Sequence, residues 1–209
     1  MTGVQTCALP ICEEHLAAAA QVAPDHDPAA PVDDHVILLD EDGTRIGHMP
    51  RATVHGLDTP LHLAFSCYLL RGDGQVLLTR RALSKRTWPG VWTNSFCGHP
   101  RRGEEMTDAI RRHAAHELGL EVADIEMVLP DFRYRAVDAS GIVENEICPV
   151  FFATTVDDCD PNPDEVMDLA WTSMQDLGTA ITATPWAFSP WMVAQLNQLG
   201  QIDLGTQER

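Results

Sequence analysis

The chain has 209 residues, of which 44% are apolar, and this is enough for one globular domain with a hydrophobic core. Its formal net charge of −17 argues against nucleic acid and against anionic membrane surfaces as partners. The six cysteines form no CxxC pair, so neither a zinc ribbon nor a disulfide scaffold is indicated, and a reducing cytoplasm is the expected location.

The first 31 residues differ from the rest of the chain. Residues 2–11 resemble translated sequencing-adapter sequence and receive no functional weight, and residues 1–12 lack the basic segment of a signal peptide. We expect residues 1–31 to be an N-terminal extension, disordered or partly artefactual, residues 32–200 to be the domain, and residues 201–209 to be a tail.

The predicted elements follow from hydrophobic periodicity and from the glycines, prolines and acidic residues between the periodic segments. In chain order they are a hairpin of residues 35–40 and 45–49, a hairpin of 62–70 and 75–82, a loop over 90–98 that leads into a short strand, a helix over 104–118, strands over 125–136, 143–156 and 166–171, and helices over 173–179 and 188–199. Hairpins combined with one central helix and a helical tail predict an α+β sandwich.

The predicted central helix carries an incomplete metal-binding pattern. Gly98, Glu104, Arg112, Glu117 and Gly119 have the spacing of the glycine/glutamate box of Nudix diphosphate hydrolases. Such hydrolases need several glutamates on this helix for metals that activate water. The box pattern has three glutamates in its second half, and only one of them, Glu117, is present here. One carboxylate can help to hold one Mg²⁺ on the phosphates of a ligand, so the box predicts the fold better than it predicts hydrolysis.

Other residues form a second set of potential ligands. Glu144 and Glu146 are two residues apart on a predicted strand and therefore share one face. With His55, His62 and His99 they supply three imidazoles and two carboxylates, which suits Mg²⁺, Mn²⁺ or Zn²⁺. Spacing alone leaves the ordinary interpretation open, in which these are surface or core histidines and a solvated pair of glutamates.

Cys97 lies beside Gly98 and His99 in the predicted loop. A free cysteine is usually an inert buried residue. A cysteine–histidine nucleophile is one alternative, although no third group that would orient the histidine is apparent. Proton transfer at carbon is the other alternative.

Several segments together resemble type I isopentenyl-diphosphate isomerase, from about His35 to Gln195. The segments are residues 61–65 (LHLAF), 79–85 (TRRALSK), 88–94 (WPGVWTN), 97–100 (CGHP), 131–135 (DFRYR), 141–146 (GIVENE) and 184–191 (TPWAFSPW). The resemblance implies a Nudix-like domain of mixed β-sheets sandwiched by helices. It also implies the reversible conversion of isopentenyl diphosphate to dimethylallyl diphosphate in isoprenoid biosynthesis.

The resemblance also implies roles for single residues. Cys97 and Glu146 would be the catalytic pair, with Tyr134 assisting Glu146. Trp191 would line the hydrocarbon pocket. A tightly bound divalent metal would be ligated by His55, His62, His99, Glu144 and Glu146. Glu117 would ligate a Mg²⁺ on the substrate diphosphate. The diphosphate itself would be bound by Arg51, Arg81 and Lys85. His113 falls where an arginine is common in the family.

The chemistry of such an isomerase suits these residue types. Moving a double bond through a tertiary carbocation requires an acid and a base on opposite faces of the alkene in a dry pocket. We expect Glu146, with Tyr134, to donate the proton and Cys97 as thiolate to remove one. An aromatic face stabilises a cation, and the residues expected near the site for this reason are Trp88, Trp92, Trp186, Phe188 and Trp191.

Two alternatives remain at this stage: a Nudix-type diphosphate hydrolase, and a binding module without catalytic activity. In either catalytic case the expected partner is a small diphosphate, allylic or homoallylic for the isomerase. We expect no nucleic acid or membrane partner, and either a monomer or a weak homodimer.

Overall fold

The structure is a computed structural model and describes residues 34–200, so the expectations for residues 1–31 and 201–209 lie outside the described residues. The helices are α1 (Arg51–Val54), α2 (Met106–Leu118), α3 (Met174–Ala183) and α4 (Pro190–Leu199). The strands are β1 (His35–Leu39), β2 (Arg45–Pro50), β3 (His62–Leu63), β4 (Phe65–Leu70), β5 (Gln75–Arg81), β6 (Trp92–Thr93), β7 (Phe96–Gly98), β8 (Ala123–Leu129), β9 (Arg133–Val137), β10 (Val143–Ile147), β11 (Val150–Thr154) and β12 (Val166–Ser173).

The strands form two mixed sheets. The first has the order β2-β1-β3-β10-β9, and the second has the order β12-β5-β4-β11-β8, with β6 paired to β5 and β7 paired to β4. Within each sheet one pair is parallel, β3 with β10 in the first and β4 with β11 in the second. The predicted α+β class is confirmed.

Three segments that the sequence predicts as single strands are each divided between the two sheets. Residues 62–70 become β3 and β4, residues 125–136 become β8 and β9, and residues 143–156 become β10 and β11. Pro130 and Pro149 lie at two of the breaks, where a residue without an N–H group cannot continue a ladder. The single-strand predictions were wrong because periodicity does not reveal a strand that changes sheet.

Helices cover both faces of the second sheet, because successive side chains of its strands point to opposite faces. Phe65 and Leu69 of β4 pack with Ile110 and Leu118 of α2 in one core cluster. Tyr68 of β4 packs on the opposite face, in a cluster that includes Leu177 of α3 and Met192 of α4. A period of two along the strand therefore fills two separate cores, and this confirms the predicted arrangement of helices around the sheet.

Most of the other predicted elements agree with the structure, but the predicted loop over 90–98 contains two short strands, β6 and β7, and the described residues between it and α2 form no strand. The two hairpins form, as β1–β2 and as β4–β5. The helix predicted over 173–179 extends to Ala183, and Ser173 caps it by accepting from the amide of Asp176. Helix α1 was not predicted. In the described range of residues 34–200, no helix is long and apolar enough to cross a membrane.

Gly119 ends α2 as the sequence predicts. Its φ of +66° is left-handed, and a Cβ atom there would lie 2.7 Å from the backbone oxygen of Asp160. The loop around Asp160 in turn caps the helix, because the Asp160 amide donates to the oxygen of Leu118 at 2.9 Å. A glycine is thus required by backbone conformation and by space.

Replacing Gly119 with alanine is expected to lower the free energy of unfolding by about 1–3 kcal/mol, because a left-handed non-glycine residue is strained. Urea unfolding followed by circular dichroism measures the change. Gly178→Ala is the matched control, because Gly178 is inside α3 and has open space around its Cα. That control is expected to be neutral or stabilising. Equal stabilities for the two variants would contradict the prediction.

Candidate active site

A cavity of about 720 Å³ lies where the chain passes between the two sheets. Its wall includes eleven of the twelve residues that the resemblance assigned to the site. They are Arg51, His55, Arg81, Lys85, Cys97, His99, Glu117, Tyr134, Glu144, Glu146 and Trp191. The twelfth, His62, is fully buried and contacts Glu146.

Strand register explains why three of these residues meet. In the first sheet, Glu146 of β10 pairs with His62 of β3 on one side and with Tyr134 of β9 on the other. The three side chains therefore form one row across three neighbouring strands. Tyr134 Oη donates to Glu146 Oε2 at 2.9 Å, and His62 Nε2 lies 3.4 Å from Glu146 Oε1.

Three imidazoles converge on this row. His55 follows α1, His62 lies on β3 and His99 follows β7, and their ring centroids are 5.1–5.8 Å apart. One ligand atom from each histidine and one from Glu146 all lie within 4.8 Å of one another. Glu144, two residues before Glu146, reaches the group through His55, with Oε2 2.9 Å from His55 Nε2. This geometry can hold a metal ion.

The donor set fits a divalent ion. His55 Nε2, His62 Nε2 and Glu144 Oε2 are buried and have no correctly directed hydrogen-bond partner. The 2.9 Å contact between His55 and Glu144 is close enough for a hydrogen bond but is not directed as one. Buried polar atoms without partners are costly, and a shared metal would satisfy all three.

Two further contacts orient these ligands. His62 Nδ1 lies 2.9 Å from the oxygen of Pro60, so a proton on Nδ1 leaves Nε2 free as a ligand. Thr87 Oγ1 donates to Glu144 Oε1 at 2.7 Å. Sequence reasoning missed Thr87, although its place beside the segment of residues 79–85 was a usable signal.

The incomplete box contributes support to the site. Arg112 forms two hydrogen bonds to the carboxylate of Glu104 and also donates to the backbone oxygen of His99 at 3.1 Å. A Cβ atom on Gly98 would lie 2.4 Å from the ring of His113. His113 in turn lies 2.9 Å from Glu117, on the wall of the cavity. The box frame therefore fixes the backbone on which Cys97 and His99 are carried.

Cys97 is held by two polar neighbours. Its Sγ lies 3.3 Å from Ser66 Oγ, 3.2 Å from Asn94 Nδ2 and 3.3 Å from Asn94 Oδ1. Ser66 pairs with Cys97 across β4 and β7. Ser66 Oγ also accepts from Gln195 Nε2 at 2.8 Å, so its own hydrogen is available for a sulfur atom. Sequence reasoning missed Ser66 and Gln195, which carry no motif of their own.

The surroundings of Cys97 and Glu146 shift the pKa values of the two side chains in opposite directions. Burial raises the pKa of the Cys97 thiol to about 11. Burial also acts to raise the pKa of Glu146, but the close contacts and charges of His62 and His99 outweigh it and hold that pKa well below its usual value. These pKa values favour a thiol and a carboxylate at neutral pH, and the expectation of a Glu146 acid with a Cys97 thiolate base stays a prediction.

The pKa values of the neighbouring groups follow the same physical causes. Burial lowers the pKa of His99. Burial acts in the same direction on His62, but the close contact with the charged carboxylate of Glu146 raises its pKa overall. Burial raises the pKa of Tyr134 far enough to keep its phenol protonated at neutral pH, so it remains a hydrogen-bond donor to Glu146.

The aromatic wall is smaller than predicted. Trp191 is 3% exposed, contacts Tyr134 with ring centroids 5.7 Å apart, and meets Trp88 edge-on at 5.3 Å. Trp186 is 82% exposed, so the expectation that it lies near the site was wrong. It follows Pro185 in a single 3₁₀ turn, and periodicity gives no indication of which way such a turn faces.

The basic residues are on the cavity wall but already have partners. Arg51 forms an ion pair with Asp34, Lys85 contacts Glu165, and Arg81 donates to the backbone oxygen of Thr87 at 2.8 and 3.1 Å. Glu165 was missed by sequence reasoning. Burial acts to raise the pKa of Glu165, but the charge and hydrogen bond of Lys85, with the charges of His116 and Arg51, together outweigh it and lower that pKa, so Glu165 is a carboxylate beside the cavity.

This chain matches both a domain family and individual known proteins. The NUDIX domain family model matches residues 60–192. The isopentenyl-diphosphate Delta-isomerase of Agromyces mediolanus is 61% identical over 164 residues, covering 78% of this chain and 80% of that protein. The protein of that name from Frankia alni is 55% identical over 173 residues, covering 83% and 89%.

Solved structures support the fold alone. A crystal structure from Deinococcus radiodurans has a TM-score of 0.61 at 19% identity and covers 78% of this chain and 98% of its own. The MutT protein from Methanosarcina mazei Go1 has a TM-score of 0.55 at 17% identity, covering 72% and 100%. Identities this low indicate shared architecture, not shared chemistry.

Replacing His99 with glutamine is expected to weaken divalent metal binding at least about 10-fold, because one of the converging nitrogen donors is lost. Competition against a chromophoric chelator, with Mn²⁺ and Zn²⁺ in separate titrations, measures the affinity. His48→Gln, on β2 and outside the cluster, is the control and is expected to bind as the wild type does. Unchanged affinity in His99→Gln would contradict this assignment of the cluster.

Proposed function

The chain belongs to the isopentenyl-diphosphate Delta-isomerase family within the NUDIX-domain proteins, and we propose that it interconverts isopentenyl diphosphate and dimethylallyl diphosphate. The observation that supports this most directly is the shared cavity of Cys97 and Glu146. A thiol and a carboxylate that share a cavity with the buried ring of Trp191 suit proton transfer at carbon better than they suit attack by water on phosphorus.

The reaction needs one proton added and one removed. Protonation of the terminal alkene carbon leaves a tertiary carbocation, and loss of a proton from C2 forms the new double bond. Atoms and charge balance without a redox partner. The alkene is a very weak base, so the acid has to lie against it where water is absent.

Cys97 and Glu146 serve as the acid–base pair of the proposed reaction. The described environment favours the thiol and the carboxylate, so the pair begins with one transferable proton, on sulfur. Because the reaction is reversible, each residue is the acid in one direction and the base in the other. The described distribution is the starting state for the direction in which Cys97 donates, and Tyr134 keeps the carboxylate of Glu146 oriented through its hydrogen bond.

A tightly bound divalent ion fits His55, His62, His99, Glu144 and Glu146, and Mn²⁺, Mg²⁺ and Zn²⁺ are the proposed alternatives. When bound, such an ion supplies positive charge that favours the ionised form of its carboxylate ligands. A second ion, Mg²⁺, is proposed to accompany the substrate diphosphate with Glu117 as its protein ligand.

Trp191 is suited to stabilise the carbocation. It is nearly fully buried and presents its ring to the same cavity as Cys97 and Glu146. A desolvated cation over an indole face gains about 2 kcal/mol or more. Tyr134 and Trp88 pack against the ring and help to exclude water, which would otherwise trap the cation as an alcohol.

Arg51, Arg81 and Lys85 are proposed to bind the diphosphate. Two of them are already paired with carboxylates, Arg51 with Asp34 and Lys85 with Glu165. Ion pairs that are partly exposed contribute little, about 0–1 kcal/mol, so a diphosphate can replace the carboxylate partner at small cost. The wall of the same cavity also carries Arg86 and Arg101.

Hydrolysis of a nucleoside diphosphate derivative is the less favoured function. Helix α2 carries Glu117 but has His113 and His116 at the other two positions where the box pattern has glutamates. Cytoplasmic location, and a monomer or weak homodimer, stay predictions.

Purified protein with Mg²⁺ and isopentenyl diphosphate in D₂O is expected to form dimethylallyl diphosphate that carries deuterium, with the diphosphate intact. Proton and phosphorus NMR measure both. Cys97→Ala and Glu146→Gln are each expected to reduce turnover by at least about 10³-fold, because each removes an essential proton carrier. Cys159→Ala, on the far side of α2, is the control. Near-normal turnover in either site variant would exclude its proposed role, and release of phosphate or nucleotide from nucleoside diphosphate derivatives would favour the hydrolase.

Glu117→Gln is expected to raise the Mg²⁺ concentration for half-maximal activity by about 10-fold, because a neutral amide is a weaker ligand for a hard cation. Initial rates over a Mg²⁺ series at saturating substrate measure this. Glu126→Gln, on the exposed side of β8, makes the same chemical change away from the cavity and is the control. An unshifted Mg²⁺ dependence in Glu117→Gln would assign the second ion to other ligands.

A further inference from the structure

Asn94 is a fully buried side chain between β6 and β7, and backbone groups fix the direction of its amide. Its Nδ2 donates to the oxygens of Cys67 at 3.1 Å and Phe96 at 2.8 Å. Its Oδ1 accepts from Thr93 Oγ1 at 2.9 Å. An amide nitrogen only donates and an amide oxygen only accepts, so the reversed orientation would place the amide oxygen against two carbonyl oxygens.

The same amide contacts both halves of the reaction site. Nδ2 lies 3.2 Å from Cys97 Sγ, and the thiol of Cys97 can donate to Oδ1, which is 3.3 Å from the sulfur. From the other side, Trp191 Nε1 donates to Oδ1 at 3.1 Å. An indole nitrogen has one hydrogen and no acceptor function, and when buried it needs such a partner.

We propose that Asn94 is a positioning residue that holds the Cys97 thiol and the Trp191 indole in a fixed mutual arrangement. The inference rests on the proposed isomerase function. Asn94 does not touch the substrate. The positions of the Cys97 thiol and of the Trp191 ring both depend on this one rigid side chain. The side chain is anchored to β4 by its hydrogen bond to Cys67 and to β7 by its hydrogen bond to Phe96.

The chemistry needs both positions at once. A proton carrier must lie within hydrogen-bond reach of its target carbon, and a ring stabilises a cation only when the cation is within about 6 Å of its centroid. The cation exists only after the proton has moved, so the ring has to be in place beforehand. A displacement of about 1 Å in such a site costs about 10²-fold in rate.

The diphosphate end of the cavity is connected to Asn94 only indirectly, through Arg81, whose guanidinium carbon lies 5.5 Å from the centroid of the Trp191 ring. The residues proposed to grip the phosphates contact Asp34, Glu165 and Thr87, and none of the hydrogen bonds described for Asn94 reaches them. Loss of Asn94 is therefore expected to lower kcat and to leave KM nearly unchanged. A purely structural asparagine would instead lower the amount of folded protein and leave the kcat of the folded fraction unchanged.

The test compares Asn94→Ala, Trp191→Phe, the double variant and Asn197→Ala. Asn197 is an exposed asparagine of α4, so Asn197→Ala is the matched control and is expected to behave as the wild type does. Turnover in D₂O gives kcat and KM per folded protein. Spectra of ¹⁵N-tryptophan-labelled protein contain five indole signals, and the one missing in Trp191→Phe belongs to Trp191.

Asn94→Ala is expected to lower kcat by about 10²-fold with KM within about threefold, and to shift the Trp191 indole signal upfield as its hydrogen bond is lost. Trp191→Phe keeps an aromatic ring but lacks the N–H group, and it is expected to lower kcat by about 10-fold. The double variant is expected to be much less impaired than the product of the two single effects, because both changes break the same connection.

The outcomes separate this inference from the proposed function. A wild-type protein that forms no deuterated product overturns the proposed function and this inference with it. Wild-type turnover combined with a normal kcat in folded Asn94→Ala, or with multiplicative effects in the double variant, overturns the inference alone. If the NMR spectrum of Asn94→Ala lacks the dispersion of a folded protein, Asn94→Ser is measured in its place with the same expected results.

Discussion

The burial of Glu146 among His62, His99 and Tyr134 is the constraint on which the site depends. Removing a carboxylate from water costs several kcal/mol unless other groups compensate for the lost hydration. Here the row across β3, β10 and β9 supplies the compensation, because strand pairing places His62 and Tyr134 on either side of Glu146. His99 completes the set from the end of β7. The orphaned nitrogens of His55 and His62 leave the arrangement incomplete without a cation.

The change of sheet by three segments makes this convergence feasible. Where β3 continues into β4 and β10 continues into β11, the backbone stays hydrogen-bonded, with the amide of Ala64 donating to Ile147 and that of Ser66 to Pro149. The first sheet therefore contributes the carboxylate, and the second contributes the thiol through the pairing of Ser66 with Cys97. A cavity between two sheets can carry different chemistry on its two walls, which suits a reaction that treats the two faces of an alkene differently.

The box helix shows how a scaffold is retained while its chemistry changes. Glu104 and Arg112 keep their mutual pair and support the backbone of His99, and Gly119 keeps its left-handed end. These contacts serve the fold, and the fold positions the cavity. Most of the carboxylates that would bind metals for hydrolysis are replaced, and the densest group of ligands lies between the sheets instead. Membership of a fold family thus predicts the place of a site better than it predicts the reaction.

The sequence by itself determined the class of fold, the box helix with its glycine end, and most of the residues that line the cavity, because these depend on local periodicity and on recognisable motifs. It did not reveal where a continuous apolar segment passes from one sheet to the other. At Ala64 and Pro149 the backbone changes its hydrogen-bond partners, but the hydrophobic pattern of the sequence continues unchanged. It gave Trp186 a place near the site that the 3₁₀ turn does not allow.

Only the tertiary structure decided the electrostatics. Burial of Cys97 and the groups around Glu146 move the pKa values of the two side chains further apart than the residue types alone would, because a pKa depends on neighbours that are distant in the chain. The same is true of Asn94, Ser66 and Gln195, whose contacts with the site arise from three separate elements and follow no spacing rule.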